Sequence, residues 1–269
     1  MRRYWLLVVG CVAIAVAVGF QQVEPLQELR KYGTLHRGVG HVGPDGYSFV
    51  PAGMAGDRFV DALAIVSRCQ SVRELVVPKM ANLEQTLAQV VKIRHVVSLS
   101  LFDQDVSDGD LVGLAGMNQL RFLELSHNPR VTDAGIAALS GLENLRYLDL
   151  TSTKVTGTGL KERTDMVSLY QLTLNDCPVT DGSLAAIPRF PKLEELLLGR
   201  TNVTDKGLMT LVGWHSLRRV TRTALTTKAG SRVFNDAFLT ARRKAREAGD
   251  PVSERDIPPV LIDETFWRE

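Results

Sequence analysis

The chain predicts an α/β solenoid, a curved stack of strand–turn–helix units with a parallel β-sheet on its concave face and short helices on its convex face. Three observations carry this reading. Apolar residues recur in the spacing LxxLxL along seven lines of sequence, the lines follow one another at a nearly constant step, and most are followed by a VTDxG-like block that reads as the start of a helix.

The order of elements begins with an apolar leader. Arg2 and Arg3 precede an uncharged run from Tyr4 to Phe20, and polar residues resume at Gln21. Residues 1–20 read as a signal peptide or an N-terminal membrane anchor. The run sits at the short end of the ~17–25 residues that cross a bilayer as a helix, while Ala17-Val18-Gly19 offers the small residues a signal peptidase needs. By the positive-inside rule the two arginines stay cytoplasmic and everything from Gln21 onward is exported, to the periplasmic or extracellular side, either held at the membrane or secreted after cleavage.

Residues 21–71 form an N-terminal capping region. Glu24 to Tyr32 predicts a short helix closed by Gly33, and the Gly-, His- and Pro-containing run to Gly56 predicts turns and weak strands. Phe59 to Ser67 predicts the helix of an incomplete first unit, because Leu63, Val66, Cys69 and Val72 keep the same step as Leu184, Ile187, Phe190 and Leu193.

Residues 72–222 hold the seven lines, starting at Val72, Val96, Leu120, Leu145, Leu169, Leu193 and Leu217. Their middle apolar residues, Leu75, Leu99, Leu123, Leu148, Leu172, Leu196 and Val220, are 24 apart at every step except one of 25. In an extended strand the fourth and sixth residues of LxxLxL point one way and the third and fifth the other. A strand with one apolar side cannot bury it alone, so the units must stack. Ser107, Thr132, Thr156, Thr180 and Thr204 then stand as helix N-caps, four of the five followed by an aspartate that suits the positive end of a helix dipole. Ile136, Leu139 and Leu142, and likewise Leu208, Leu211 and Trp214, continue at helical spacing. Gly135, Gly159 and Gly207 fall in the first helical turn, where glycine costs ~1 kcal/mol relative to alanine, so a close approach between coils must require them.

The pattern L-x-x-L-x-L-x-x-T-x-V-T-D-x-G-L-x-x-L resembles the leucine-rich repeat, in the form of about 24 residues found in bacterial exported proteins, from Val72 to Arg222. The resemblance implies a solenoid that curves because strands stack ~4.8 Å apart while helices need ~10 Å. It also implies that Gln104, Asn128, Thr153, Cys177 and Thr201 turn inward to bond the backbone of adjacent coils. Three stretches depart from the pattern. The segment after Val77 lacks VTDxG and predicts a longer helix with Leu83, Leu87, Val90 and Val91 inward. Arg163 stands at an apolar position, which predicts either a loosened coil or an arginine reaching outward. TTKAG, from Thr226 to Gly230, is a worn VTDxG.

Residues 223–269 complete the chain. Val233 to Ala248 predicts a basic helix, and Asp250 to Glu269 an extended tail whose VLIDETFW stretch either covers the last coil or docks a partner.

Composition bounds the function. The net charge of +2 and the acidic residues that follow each basic cluster argue against nucleic acid. Cys11, Cys69 and Cys177 form no CxxC and no disulfide framework. His36 and His41 lack a second pair with zinc spacing, Asp103, Asp105 and Asp108 occur once with Asp108 already a helix-start residue, and no GxSxG, HExxH, Walker A or placed GxGxxG is present. The expectation is therefore neither an enzyme nor a holder of metal or cofactor. What remains is the concave face, where the outward residues do not repeat. Phe122, Tyr147 and Tyr170 form an aromatic centre beside Glu124, Asp149, Gln171, Glu195 and Arg219, a composition that binding hot spots favour. His127, at a strand exit, joins that side. The sequence thus predicts a protein–protein interaction module of unknown partner and oligomeric state, or alternatively a structural spacer of the cell envelope.

Overall fold

In the computed structural model, residues 25–37, 46–52, 56–221, 223–250 and 261–263 are described. The apolar leader, His41 and most of the C-terminal tail lie outside these residues. The chain divides into two compact units, Met1–Ser98 and Leu99–Glu269, and the division falls inside the repeat region read from the sequence.

In the first unit, residues 25–29 are helical (α1), followed by β1 (Gly33–Arg37) and β2 (Tyr47–Pro51) as an antiparallel pair in which Leu35 faces Phe49. Gly33 does not close a helix as expected. It opens β1, because its Cα lies so close to Val50, Pro51 and the ring of Phe49 that a Cβ has no room. β2 then runs parallel to β3 (Val72–Val76), with Phe49 opposite Leu75. Two helices, α2 (Gly56–Val66) and α3 (Leu83–Val90), pack on each other. Phe49, Phe59, Leu63, Val66, Leu75 and Leu87 form the unit's core. Asn82 caps α3 by accepting from Gln85 N–H, and the helix buries Leu83, Thr86, Leu87 and Val90. Val91, expected inward, is only half-buried because the helix stops before it and Ile93 takes the inward place.

The second unit is a stack of coils. β4 (Ser98–Ser100) spans the division; β5 (Phe122–Glu124), β6 (Tyr147–Asp149), β7 (Gln171–Thr173), β8 (Glu195–Leu197) and β9 (Arg219–Thr221) pair in parallel and in chain order. The middle residues of the lines, Leu123, Leu148, Leu172 and Leu196, sit opposite one another across these strands and are buried. Each strand leads to a short helix: α4 (Asp108–Val112), α5 (Asp133–Ala138), the 3-10 turn η1 (Thr158–Leu160), α6 (Asp181–Ala186) and α7 (Asp205–Met209), each in contact with the next. The 20-residue α8 (Lys228–Glu247) packs on α7 and buries Phe234 and Phe238. β10 (Leu261–Asp263) pairs parallel with β9, Ile262 opposite Val220, so this part of the tail continues the sheet beside the last coil.

The inward polar residues are all buried, but only Asn128 and Cys177 bond the backbone of an adjacent coil as the resemblance implies; Gln104, Thr153 and Thr201 donate to carbonyls of their own coil. Asn128 is fully buried; its Nδ2 donates to the carbonyls of Leu101 and Leu125 at 2.8 and 2.9 Å, and its Oδ1 accepts from Gln104 and Val106 N–H at 3.0 and 2.9 Å. One amide therefore satisfies backbone groups of two coils that would otherwise be buried and unpaired. Thr153 and Cys177 both donate to the Leu150 carbonyl, at 2.7 and 3.0 Å.

The helix-start aspartates do more than meet a dipole. Asp108 accepts from Thr132 N–H and Oγ1 of the next coil at 2.8 and 2.6 Å. Asp181 takes the same two bonds from Thr204, at 2.7 and 2.6 Å, and Asp205 from Thr227, at 2.8 and 2.7 Å. Asp133 accepts from Thr156 Oγ1 at 2.6 Å and from the N–H groups of Thr156, Gly157 and Gly159. Each carboxylate thus staples the start of the following coil through charge-assisted bonds. Thr156, expected to cap a helix, gives its hydroxyl proton to Asp133, and the cap of η1 is Gly157 in a left-handed conformation (φ 99°).

Arg163 turns inward instead of reaching outward, and its coil is the less regular one. Its side chain is 16% exposed, with Nε 3.8 Å from Asp165 Oδ1, and Nε and Nη1 are buried without a hydrogen-bond acceptor among the described residues. This coil carries only a 3-10 turn where its neighbours carry helices, and the arginine occupies the place an apolar side chain fills elsewhere.

Candidate functional site

Register places the sequence-predicted residues on one face. The third strand positions align as Phe122, Tyr147, Gln171, Glu195 and Arg219, and the fifth as Glu124, Asp149, Thr173 and Leu197. Because the intervening leucines point into the core, both columns face away from it. All eight candidates except Tyr170 lie within strands; Tyr170 precedes β7, and its N–H donates to Arg146 O at 2.8 Å.

The structure brings the three aromatic residues together. Phe122 and Tyr147 stack with centroids 4.3 Å apart and an interplanar angle of 14°, and Tyr147 meets Tyr170 at 5.6 Å and 48°. Such pairs add ~0.5–1.5 kcal/mol beyond burial. Burial raises the Tyr170 hydroxyl above its ordinary pKa, reinforced by the negative charges of Glu194 and Glu195 and by a hydrogen bond to Glu194. It therefore stays protonated at neutral pH.

The charged candidates separate into two groups. Glu195 pairs with Arg219 at 3.7 Å, and beside them Glu194 pairs with Arg218 at 2.7 Å. Glu124 instead accepts from Ser100 Oγ at 2.5 Å and Ser126 Oγ at 3.1 Å, while Asp149 accepts from Thr151 N–H and Oγ1 at 2.9 and 2.6 Å. Gln171 bonds only weakly to Thr173, at 3.4 Å.

Sequence reasoning missed Phe102. It is 48% exposed and meets His127 edge-on at a centroid distance of 5.1 Å, which adds a second aromatic pair where the strands end. Overlaying the repeats would have found it, since Ser126, Thr151, Asn175 and Gly199 hold the corresponding place. A cavity of about 250 Å³ lined by Arg189, Phe190, Trp214, His215 and Asp250 lies among the loops that precede β8 and β9, and there the 3.0 Å His215–Asp250 bond fastens the end of α8 to the last coil. Asp105 faces Arg130 and Asp108 is engaged by Thr132, and among the described residues no group of three His, Cys, Asp or Glu is placed to hold a metal ion.

Comparison with known proteins gives the repeat its name. The family model for the Leucine Rich repeat matches residues 117–140 and 141–162. No curated protein matches the chain. Among solved structures the chain is similar to an internalin from Listeria monocytogenes, at 15% sequence identity and a TM-score of 0.42, over 62% of this chain and 52% of the internalin, so it spans about half of that protein's length. The two matched stretches contain β5 and β6 with the turns that follow them, and the same coil geometry continues through β9. Residues 117–162 are thus leucine-rich repeats, and the coils to which they belong are stacked strand–turn–helix units of an α/β solenoid.

Proposed function

We propose that this protein is a non-catalytic binding protein that takes a protein partner on the concave sheet face of its repeats, centred on Phe122, Tyr147 and Tyr170. The observation that carries the reading is the Phe122–Tyr147 stack on a face whose leucine scaffold repeats but whose outward residues do not. Aromatic anchors ringed by charge are where binding energy concentrates. The reading includes export through residues 1–20, as an anchor or a cleaved signal, with the repeats on the far side of the membrane. Among the described residues no helix is long and apolar enough to cross a membrane.

A photo-crosslinking side chain placed at Tyr147 should yield a defined adduct with a partner in whole cells, and the same group at exposed Lys161, on the helix side, should not. Equal adducts from both positions, or none from Tyr147, contradict the assignment of the face. The N-terminal residue and membrane fractionation of the mature protein decide between anchor and secreted forms; recovery in the cytoplasm contradicts export.

A further inference from the structure

We propose that the segment recognised by this face is basic, with an arginine or lysine side chain laid across the Phe122–Tyr147 stack and its charge against Glu124 and Asp149. This rests on the sheet face being the binding surface and names the chemistry of what it takes.

The carboxylates of this unit fall into distinct classes. Asp105, Asp176, Glu194 and Glu195 each have an arginine within 4 Å: Arg130, Arg200, Arg218 and Arg219. The helix-start aspartates are spent on the next coil's threonines. Glu124 and Asp149 belong to neither class. They are directly opposite each other in register on neighbouring strands, where like charges are unfavourable. The bonds they accept come from neutral hydroxyl and amide groups, so their geometry is fixed while their charge is left uncompensated among the described residues.

These two charges stand two residues along the same strands, and on the same face, as the stacked rings of Phe122 and Tyr147. A cation over an aromatic ring is attracted by the ring quadrupole, and arginine adds a flat guanidinium that stacks on the ring while its N–H fork meets a carboxylate. Beyond the strand ends, exposed Phe102 and His127 form a second aromatic pair. Exposed Arg121 and Arg146 precede the aromatic stack, at the start of the same strands. A basic group is drawn to the end of the face at Glu124 and Asp149. An acidic or purely apolar segment would leave both carboxylates desolvated and unpaired.

The test uses the purified full chain and three fluorescent peptides of equal length that differ only in carrying arginine, norleucine or glutamate at alternate positions. The arginine peptide should bind and weaken as ionic strength rises, and the glutamate and norleucine peptides should not bind. Glu124→Gln/Asp149→Asn keeps the hydrogen-bond acceptors and should lower arginine-peptide affinity by at least about tenfold. Glu143→Gln/Glu162→Gln makes the same change in net charge at exposed sites away from the sheet and should leave it within about twofold. Equal losses in the two double variants, binding of the norleucine peptide as tight as the arginine peptide, or no arginine-peptide binding overturn the proposal. If Phe122→Ala/Tyr170→Ala abolishes the partner adduct formed by the crosslinker at position 147 while Glu124→Gln/Asp149→Asn leaves it intact, the sheet face stands and the basic ligand falls; if neither pair matters, both fall.

Discussion

Two junctions one coil apart are built differently. Between α5 and η1, Asp133 reaches across to Thr156, and Gly159 lies so close to the Asp133 backbone that no Cβ fits. Between η1 and α6 the position of the aspartate is Gly157, the Thr180 hydroxyl bonds to Ser183 of its own helix and among the described residues to no group of the preceding coil, and Ser183 occupies the place of the glycine. The two changes belong together. Gly135, Gly207 and Gly230 each meet the aspartate of the preceding coil, Asp108, Asp181 and Asp205, so the glycine is needed where an aspartate has to reach over it. Where the preceding residue is Gly157, a serine is accommodated and caps its helix instead. An aspartate at 157 would also meet Ile187, whose side chain fills the space beside Gly157. The glycines are therefore half of an inter-coil joint.

The largest expected effect comes from closing the tighter joint. Gly159→Ala puts a Cβ into backbone atoms of Asp133, which cannot swing away as a side chain can, and should cost about 3 kcal/mol or more in urea unfolding. A cost under about 1 kcal/mol would show that the coils can slide apart freely. Next comes one substitution at two joints. Thr204→Ala loses a cap and the bonded hydroxyl to Asp181, whereas Thr180→Ala loses a cap alone, so the first should cost ~1–2 kcal/mol more than the second.

Acid should separate the joints as well. Burial on its own would raise the Asp133 carboxyl, but hydrogen bonds from the Thr156 hydroxyl, the Gly159 and Thr156 N–H groups and Thr158 outweigh it and hold the carboxyl below its ordinary 3.8. A folded-state pKa that is depressed contributes stability present above the unfolded value and lost as pH falls through the folded one. The advantage of wild type over Asp133→Asn should therefore be constant near neutrality and shrink once the pH drops below about 4. An advantage that persists unchanged at low pH would mean the joint does not depend on the charge. The smallest effect has the opposite sign. Gly182, in α6, has open space where a side-chain methyl would stand, with no neighbouring atom within 4 Å, so Gly182→Ala should stabilise by ~0.5–1 kcal/mol, read as a shift in midpoint at constant slope.

Most of the scaffold is legible in the sequence because burial enforces it. The step from Leu75 to Val220 marks the strands, and Ser107, Thr132, Thr180 and Thr204 are caps. The aspartate joint is half legible. The glycines announce a close approach, but a helix dipole already explains the aspartates locally, and nothing along one chain line says that a carboxylate reaches 24 residues forward. Arg163 defeats the outward reading because snorkelling is a surface argument, whereas this side chain is enclosed by its coil. At the candidate site, strand alternation puts Phe122, Tyr147, Glu124 and Asp149 on one face, but only side-chain geometry distinguishes Glu195, which has its arginine, from Glu124, which does not. Phe102 lies past LxxLxL and shows only when the seventh residues of the lines are overlaid, where Ser126, Thr151, Asn175 and Gly199 are small or polar.

The central claim is that repeated residues hold the coils while the unrepeated sheet face binds. It is tested most directly by measuring partner capture and unfolding midpoint together for two proteins, Phe122→Ala/Tyr147→Ala/Tyr170→Ala and Thr204→Ala. The account predicts that the triple variant stays folded and loses capture by at least about tenfold, while Thr204→Ala unfolds earlier and captures as wild type does. A folded triple variant that captures its partner undiminished would contradict it.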